Sequence, residues 1–147
     1  MLINSKINQN YKIEKIYQAG IVLTGFEVKS IKKGGGDIVG SYGTVHKNEV
    51  WLLNFKIPPY QPKNVPLNWS SDRPKKLLLR KKEISEIVGY LQQKKYLLVP
   101  YKVYLENNLV KVDLALCQPL KKYEKREKIK KREFERQKQR ALKGKLY

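Results

Sequence analysis

Cysteine and histidine are almost missing from this chain: one of each stands among 147 residues, as Cys117 and His46. A lone cysteine cannot close an internal disulfide, and it suits a reducing compartment. Zinc sites of the usual Cys/His type cannot be built from two such residues, so no metal is expected. A Cys–His nucleophile pair would have to be Cys117 with His46. Cys117 ends an alternating strand pattern, where a small buried thiol is the expected role, and His46 lies in the turn pattern "VHKNEV". Gly34-Gly35-Gly36 lacks the lysine and hydroxyl frame of a phosphate-binding loop. Acids are scarce too. Outside the C-terminal stretch only Glu83 and Glu86 are neighbours on a predicted helix, beside Lys82, a poor start for the paired carboxylates of a nuclease. The chain reads as a non-enzyme with no cofactor.

Long apolar runs are also absent. Ile21-Val22-Leu23 and Tyr96-Leu97-Leu98-Val99 are far too short to span a bilayer. The N-terminal "MLINSKINQNYK" lacks the apolar stretch of a signal peptide. The expected location is the cytoplasm.

What the chain has in excess is positive charge: 32 Lys+Arg against 13 Asp+Glu, a formal +19. Self-repulsion of that size opposes compaction, so it marks a polyanionic partner. The excess is divided. Residues 121–147 hold 13 Lys+Arg against 4 Glu, which puts +9 there and leaves +10 on the body. The composition changes at Pro119, so the expected organisation is a body over 1–118 and a basic tail over 119–147.

The body reads as mainly β with short helices. Tyr11, Ile13 and Tyr17 alternate with Lys12 and Glu14 in a first strand, and Ala19-Gly20 is expected to turn the chain into Ile21-Val22-Leu23. Two hairpins follow from turn residues: one around His46-Lys47-Asn48, the other around Glu106-Asn107-Asn108. After the second, Val110, Val112, Leu114 and Leu116 face one way, and Lys111, Asp113 and Ala115 the other. In "KKEISEIVGYLQQK", Ile84, Ile87, Val88 and Leu91 fall on one face of an amphipathic helix. A shorter helix starts at Thr24, an N-cap with Glu27 three residues on. It turns Val28 and Ile31 inward, ends at Gly34, and carries Lys29, Lys32 and Lys33 outside. The Pro-rich stretch between Ile57 and Pro74 reads as a loop. Some six strands with two helices predict a small closed antiparallel barrel, which leaves no exposed edge.

The tail permits helix by propensity, but its apolar residues form only a thin seam. Tyr123, Phe134 and Ala141 fall within roughly 20° of one helical face. Such a seam buries little, so the tail is expected to order along RNA, with cations on phosphates and aromatics on bases.

Five segments carry a resemblance: "AGIVLTGFEVKSIKKG", "SYGTVHKNEVWL", "RPKKLLLRKKEI", "LVPYKVYLENNLVKVDLAL" and "KYEKREKIKKREFER". Their order and spacing, from about Tyr11 to Leu142, are similar to those of SmpB, the SsrA-binding protein family of bacteria. The resemblance implies an oligonucleotide-binding (OB-type) barrel with flanking helices and a tail that is helical when bound. It implies a monomeric adaptor that binds the tRNA-like part of transfer-messenger RNA (SsrA) and promotes its charging by alanyl-tRNA synthetase. With elongation factor Tu, such an adaptor enters the A site of ribosomes stalled without a stop codon. Its tail then reaches past the decoding centre into the empty mRNA channel of the small subunit, and trans-translation tags the nascent chain.

Site residues carried over by the resemblance fall in two groups. On the body, Asn4 and Lys6 match N-terminal RNA contacts, and Glu27 and Lys29 belong to the GxEVKS motif. Lys76 belongs to the strand with Leu77 to Leu79, Lys111 to the VKV pattern, and Gln18 stands where the family has an acid. Lys29, Lys76 and Lys111 are the better phosphate contacts, because an outward cation gains little except from a polyanion. Val28 and Leu78 are expected in the core, and Glu27 as cap or orienter. On the tail, Glu124-Lys125-Arg126 stands where the family has Asp-Lys-Arg. Tyr123 suits stacking on a base of the decoding centre, Lys128, Lys130, Lys131 and Arg132 supply charge, and Phe134 matches a family aromatic. Pro119-Leu120-Lys121 departs from the family's Gly-Lys-Lys and makes a stiffer hinge. The alternative is a structural ribosomal protein bound to rRNA, since those also join small barrels to basic tails.

Overall fold

The computed structural model describes residues 1–67 and 69–145, with the side chains of residue 122 and residues 143–145 outside that description. Both expected hairpins are present. Strands β3 (Tyr42–His46) and β4 (Glu49–Leu53) are joined by Lys47 and Asn48 at φ 51° and 60°. Strands β6 (Leu97–Glu106) and β7 (Leu109–Pro119) are joined by Asn107 and Asn108 at φ 51° and 64°. Two successive positive φ values match the right-handed twist of the flanking strands, and asparagine, which fills three of the four positions, accepts them at small cost.

With β2 (Tyr11–Ile21) and β5 (Lys75–Leu78), these strands close a ring in the order β6-β3-β4-β5-β2-β7, and β7 pairs back onto β6. All the pairings are antiparallel. A short strand β1 (Leu2–Ile3) lies on β6 outside the ring. Pro100 shows how one strand serves three neighbours. It has no N–H to donate, and the β6–β7 ladder slips between Pro100 and Lys102. Before it β6 meets β3 at Leu98; after it β6 meets β1 at Lys102 and Val103.

Two expectations about β2 need correction. The strand runs straight through Ala19-Gly20 instead of turning there. Ala19 is buried in the core, and Gly20 pairs with both Leu78 and Lys111. A small residue there marks close packing, not a turn. The ladder to β7 also slips between Ile13 and Lys15. That extra residue re-phases the strand, so Ile13 packs against a second cluster while Tyr17 enters the ring.

The main core fills the ring with Tyr17, Val50, Leu52, Leu77, Leu98, Val112, Leu114 and Leu116. Two helices add to it. Helix α2 (Gly25–Lys32) contributes Ile31, and helix α3 (Lys81–Gln92) contributes Ile87. The smaller cluster, Ile7, Val99, Ala115 and Cys117, lies under helix α1 (Ile7–Asn10). Ala115, expected outside, is therefore buried, because β7 is covered on both faces. Burial pushes the Cys117 thiol up to about 12. Leu78, expected in the core, is 51% exposed: β5 alternates, with Lys75 and Leu77 inward.

Candidate nucleic-acid interface

Helix α2 is fixed at both ends by side chains and glycines that the sequence supplies. Thr24 Oγ1 accepts from the Glu27 N–H at 3.3 Å, and the Glu27 carboxylate accepts from the Thr24 N–H at 2.8 Å. At the other end the Gly34 N–H donates to the Ile31 carbonyl and the Gly35 N–H to the Ser30 carbonyl, both at 2.9 Å. This double bond pattern needs a left-handed residue, and Gly34 provides it at φ 86°. Lys29, Lys32 and Lys33 stand exposed on the outside.

Glu27 is 1% exposed and is ion-paired with Arg73. It faces inward, to the cap and the guanidinium. Its geometry is that of an orienter, as its charge would suggest, since a carboxylate repels phosphate. Nearby, Lys75 is fully buried and donates to the carbonyls of Phe55 and Ser71. Burial holds its amine below the usual lysine range, partly offset by Glu27. Together these bonds tie the Pro-rich loop to the ring and to α2.

A second surface lies on the outer face of β2, β7 and β6. Gln18 pairs in register with Asp113, and Lys111 with Gly20 and Tyr104. The Gln18 amide donates to Tyr104 Oη and, at 2.9 Å, to Glu106 Oε2. Tyr104 in turn donates to Asp113 at 3.1 Å. Gln18 thus sits in a polar network with two carboxylates, Glu106 of β6 and Asp113 of β7. Lys111 is half-exposed and has no carboxylate within ion-pair distance among the described residues. Lys76, by contrast, sits 3.4 Å from Glu49 across β4–β5.

Asn4 and Lys6 line a cleft of about 420 Å³ with Tyr11 and Tyr42. Lys6 is exposed, while Asn4 is 7% exposed and its N–H donates to the Tyr101 carbonyl at 2.8 Å. The structure does not gather all these residues into one pocket. It distributes them over α2, β5, the β2–β7 face and the N-terminal segment.

The tail forms helix α4 (Lys122–Lys145); the expected tail extends over residues 146–147, which lie outside the described residues. Its root is fixed. Leu120 is buried, and its N–H donates to the Asn10 carbonyl at 2.9 Å. Eight residues further, Lys128 Nζ donates to the Asn8 carbonyl at 3.1 Å, and Asn8 and Gln9 of α1 face Ile129 and Arg132. Tyr123 is 72% and Phe134 65% exposed. Glu124, Arg126, Lys130 and Lys131 are exposed, and Lys125 half-buried. Among the described residues no tail cation is ion-paired with a carboxylate.

A family model described as SmpB protein matches residues 1–144. The chain belongs to the SmpB family. Its similarity to curated SmpB-type sequences is close along nearly the whole length. It is 42% identical over 139 residues to the SsrA-binding protein of Geobacillus kaustophilus (strain HTA426), covering 95% of this chain and 89% of that one. To the SsrA-binding protein of Fervidobacterium nodosum it is 45% identical over 134 residues, covering 90% and 89%. A solved structure described as "tmRNA-SmpB: a journey to the center of the bacterial ribosome" superposes with a TM-score of 0.69 at 38% identity, over 82% of this chain and 85% of that one.

Four residues that shape the surface do not stand out in the sequence motifs of the chain. Arg73 holds Glu27, and Tyr104 joins Gln18 to Asp113. Phe26 and Tyr60 stand beside Lys29, whose ammonium lies 5.8 Å and 5.9 Å from their ring centres. Phe26 was detectable, as an aromatic directly before Glu27 on a lysine-rich helix. Tyr60 was not, because 31 residues of chain separate it from Lys29 and only the fold joins them.

Proposed function

We propose that the chain is an RNA-binding adaptor for ribosome rescue. Its body binds the tRNA-like domain of transfer-messenger RNA, and its tail engages the decoding centre and empty mRNA channel of a stalled ribosome. Elongation factor Tu and alanyl-tRNA synthetase meet it indirectly, through the RNA, and one copy acts as a monomer. The observation that carries this reading is the divided charge. Among the described residues, the folded body displays Lys29 and Lys111 without a carboxylate partner, and a separate helix displays exposed Tyr123 and Phe134 among cations that are not ion-paired. Relatives at 42–45% identity bear the name SsrA-binding protein, and that name supports transfer-messenger RNA as the polyanion. Exposed lysines release counterions from phosphate, and aromatics on a basic helix stack on bases once the helix is laid along RNA.

The test is capture of the tagged chain from its own cells, followed by sequencing of the bound RNA. Transfer-messenger RNA should be enriched far above its cellular share and should persist through a high-salt wash. Recovery of ribosomal RNA alone, in stoichiometric ratio with subunits, would instead identify a structural ribosomal protein.

A further inference from the structure

The surface between α2 and the Pro-rich loop combines three observations. First, Lys33 Nζ lies 4.5 Å from the centre of the Tyr60 ring, and Lys29 Nζ 5.9 Å from the same ring and 5.8 Å from that of Phe26. Second, none of Lys29, Lys32 and Lys33 has a carboxylate partner among the described residues, and Glu27 is turned inward to Arg73. Third, the loop is pinned where it meets the helix. The buried Ser30 hydroxyl donates to the Pro58 carbonyl at 2.7 Å. Gly35 allows that approach, because a Cβ there would lie 2.6 Å from Ser30 Oγ and 3.2 Å from Pro58 Cγ. Pro58 and Pro59 then restrict the backbone leading to Tyr60. The backbone two residues before the ring is therefore fixed against the helix that carries the lysines.

We propose that Tyr60, with Phe26 as the second ring near Lys29, is a stacking platform for one unpaired nucleotide of the RNA this chain binds, and that Lys29 and Lys33 take its phosphates. This rests on the RNA-adaptor reading above and adds to it a base-stacking site. An exposed ammonium over a ring is weakly held, because it remains hydrated and its stem is flexible. A nucleotide offers both groups a better partner: the base covers the ring face, and the phosphate draws the ammonium away from it. Stacking of this kind accepts any base, so the platform fixes where an unpaired nucleotide sits without reading its identity. A ring carried on a restrained backbone also loses less freedom on binding, which favours affinity. An acidic peptide would satisfy the lysines alone and leave the aromatic faces unused.

The test is binding of the full-length chain to the tRNA-like domain of transfer-messenger RNA as a function of salt, for Tyr60→Phe, Tyr60→Leu and Lys33→Gln. Tyr60→Phe should bind as the unmodified chain does. Tyr60→Leu should bind about tenfold more weakly with an unchanged salt slope, since stacking is lost and no phosphate contact is. Lys33→Gln should lower the slope by up to about one. Melting of each variant reports its folding, and Lys33→Gln, fully on the surface, keeps the test open if Tyr60→Leu is unstable. If Tyr60→Leu is folded and binds as tightly as the unmodified chain, the platform is overturned while the adaptor reading stands. If the unmodified chain binds this RNA no better than unrelated RNA, both fall.

Discussion

Glu27 and Arg73 form an ion pair across 46 positions of sequence, with the carboxylate side chain 2% and the guanidinium 35% exposed. The same carboxylate caps α2 through the Thr24 N–H, and it is the nearest compensation for the buried ammonium of Lys75. Removing its charge leaves a partly desolvated guanidinium, and a buried ammonium with only the weaker influence of Asp72 opposing it. Glu27→Gln is expected to cost about 2–3 kcal/mol, below the range for fully buried pairs because Arg73 reaches solvent. Urea denaturation would read this as a lower midpoint at unchanged slope. RNA affinity of the folded variant should stay near that of the unmodified chain. A variant of normal stability that binds RNA poorly would make Glu27 a direct contact.

The lysines of the body should separate by their neighbours. Lys29 and Lys111 carry full charges to solvent, so changing either to Ala should reduce the slope of log affinity against log salt by up to about one. Lys76 is 3.4 Å from Glu49 and already part-neutralised. Lys76→Ala should change the slope by less, and Glu49→Gln should strengthen binding. A slope left unchanged by Lys29→Ala or Lys111→Ala would remove that lysine from the interface.

Acid should loosen α3 from β2. Glu86 accepts from Lys15 Nζ at 2.7 Å and from the Tyr17 hydroxyl at 2.9 Å, and these bonds hold its carboxyl below the usual carboxylate range. A carboxyl whose folded pKa is depressed stabilises the fold at pH above its unfolded value, about 4.3. That stabilisation is lost as pH falls through the folded value. Stability of the unmodified chain should therefore drop below about pH 4, and Glu86→Gln should flatten that part of the profile. Urea midpoints between about pH 3 and 7 measure it; an acid limb of the same steepness in both proteins would rule Glu86 out as its source.

Sequence revealed what local chemistry decides. The two positive-φ turns, the capping box of Thr24 and Glu27, and the inward face of α3 all depend on residues within a few positions of one another. It did not reveal what register and packing decide. β2 continues through Ala19-Gly20 because both sides of that segment are paired, which no neighbouring residue signals. α1 is too short for any periodic pattern, and it is held by Ile7 over Val99, Ala115 and Cys117. Leu78 and Ala115 exchange their expected places for the same reason: which face is covered depends on elements distant in sequence. The site divides likewise. Lys29 and Lys111 stand where their patterns put them, whereas the partners of Glu27, Gln18 and Lys76 come from other strands and loops.

The tail should separate from the body at one residue. Leu120 belongs to the body by packing, since it is buried and its N–H bonds the Asn10 carbonyl. Beyond it, α4 meets the body chiefly at α1, and its cations have no carboxylate partners among the described residues. A chain ending at Leu120 is therefore expected to keep its melting temperature, whereas one ending at Gln118 should melt several degrees lower for want of that side chain and bond. The longer truncation should also keep specific affinity for the tRNA-like domain, with a smaller salt slope because the tail charge is gone. It should fail to load onto stalled ribosomes, and Tyr123→Ala with Phe134→Ala in the full chain should weaken loading without touching the affinity for free RNA. Sedimentation with ribosomes stalled on a message lacking a stop codon separates these outcomes. If the Leu120 truncation loses RNA affinity and ribosome loading together, grip and engagement are one surface, and the division of charge has no functional meaning.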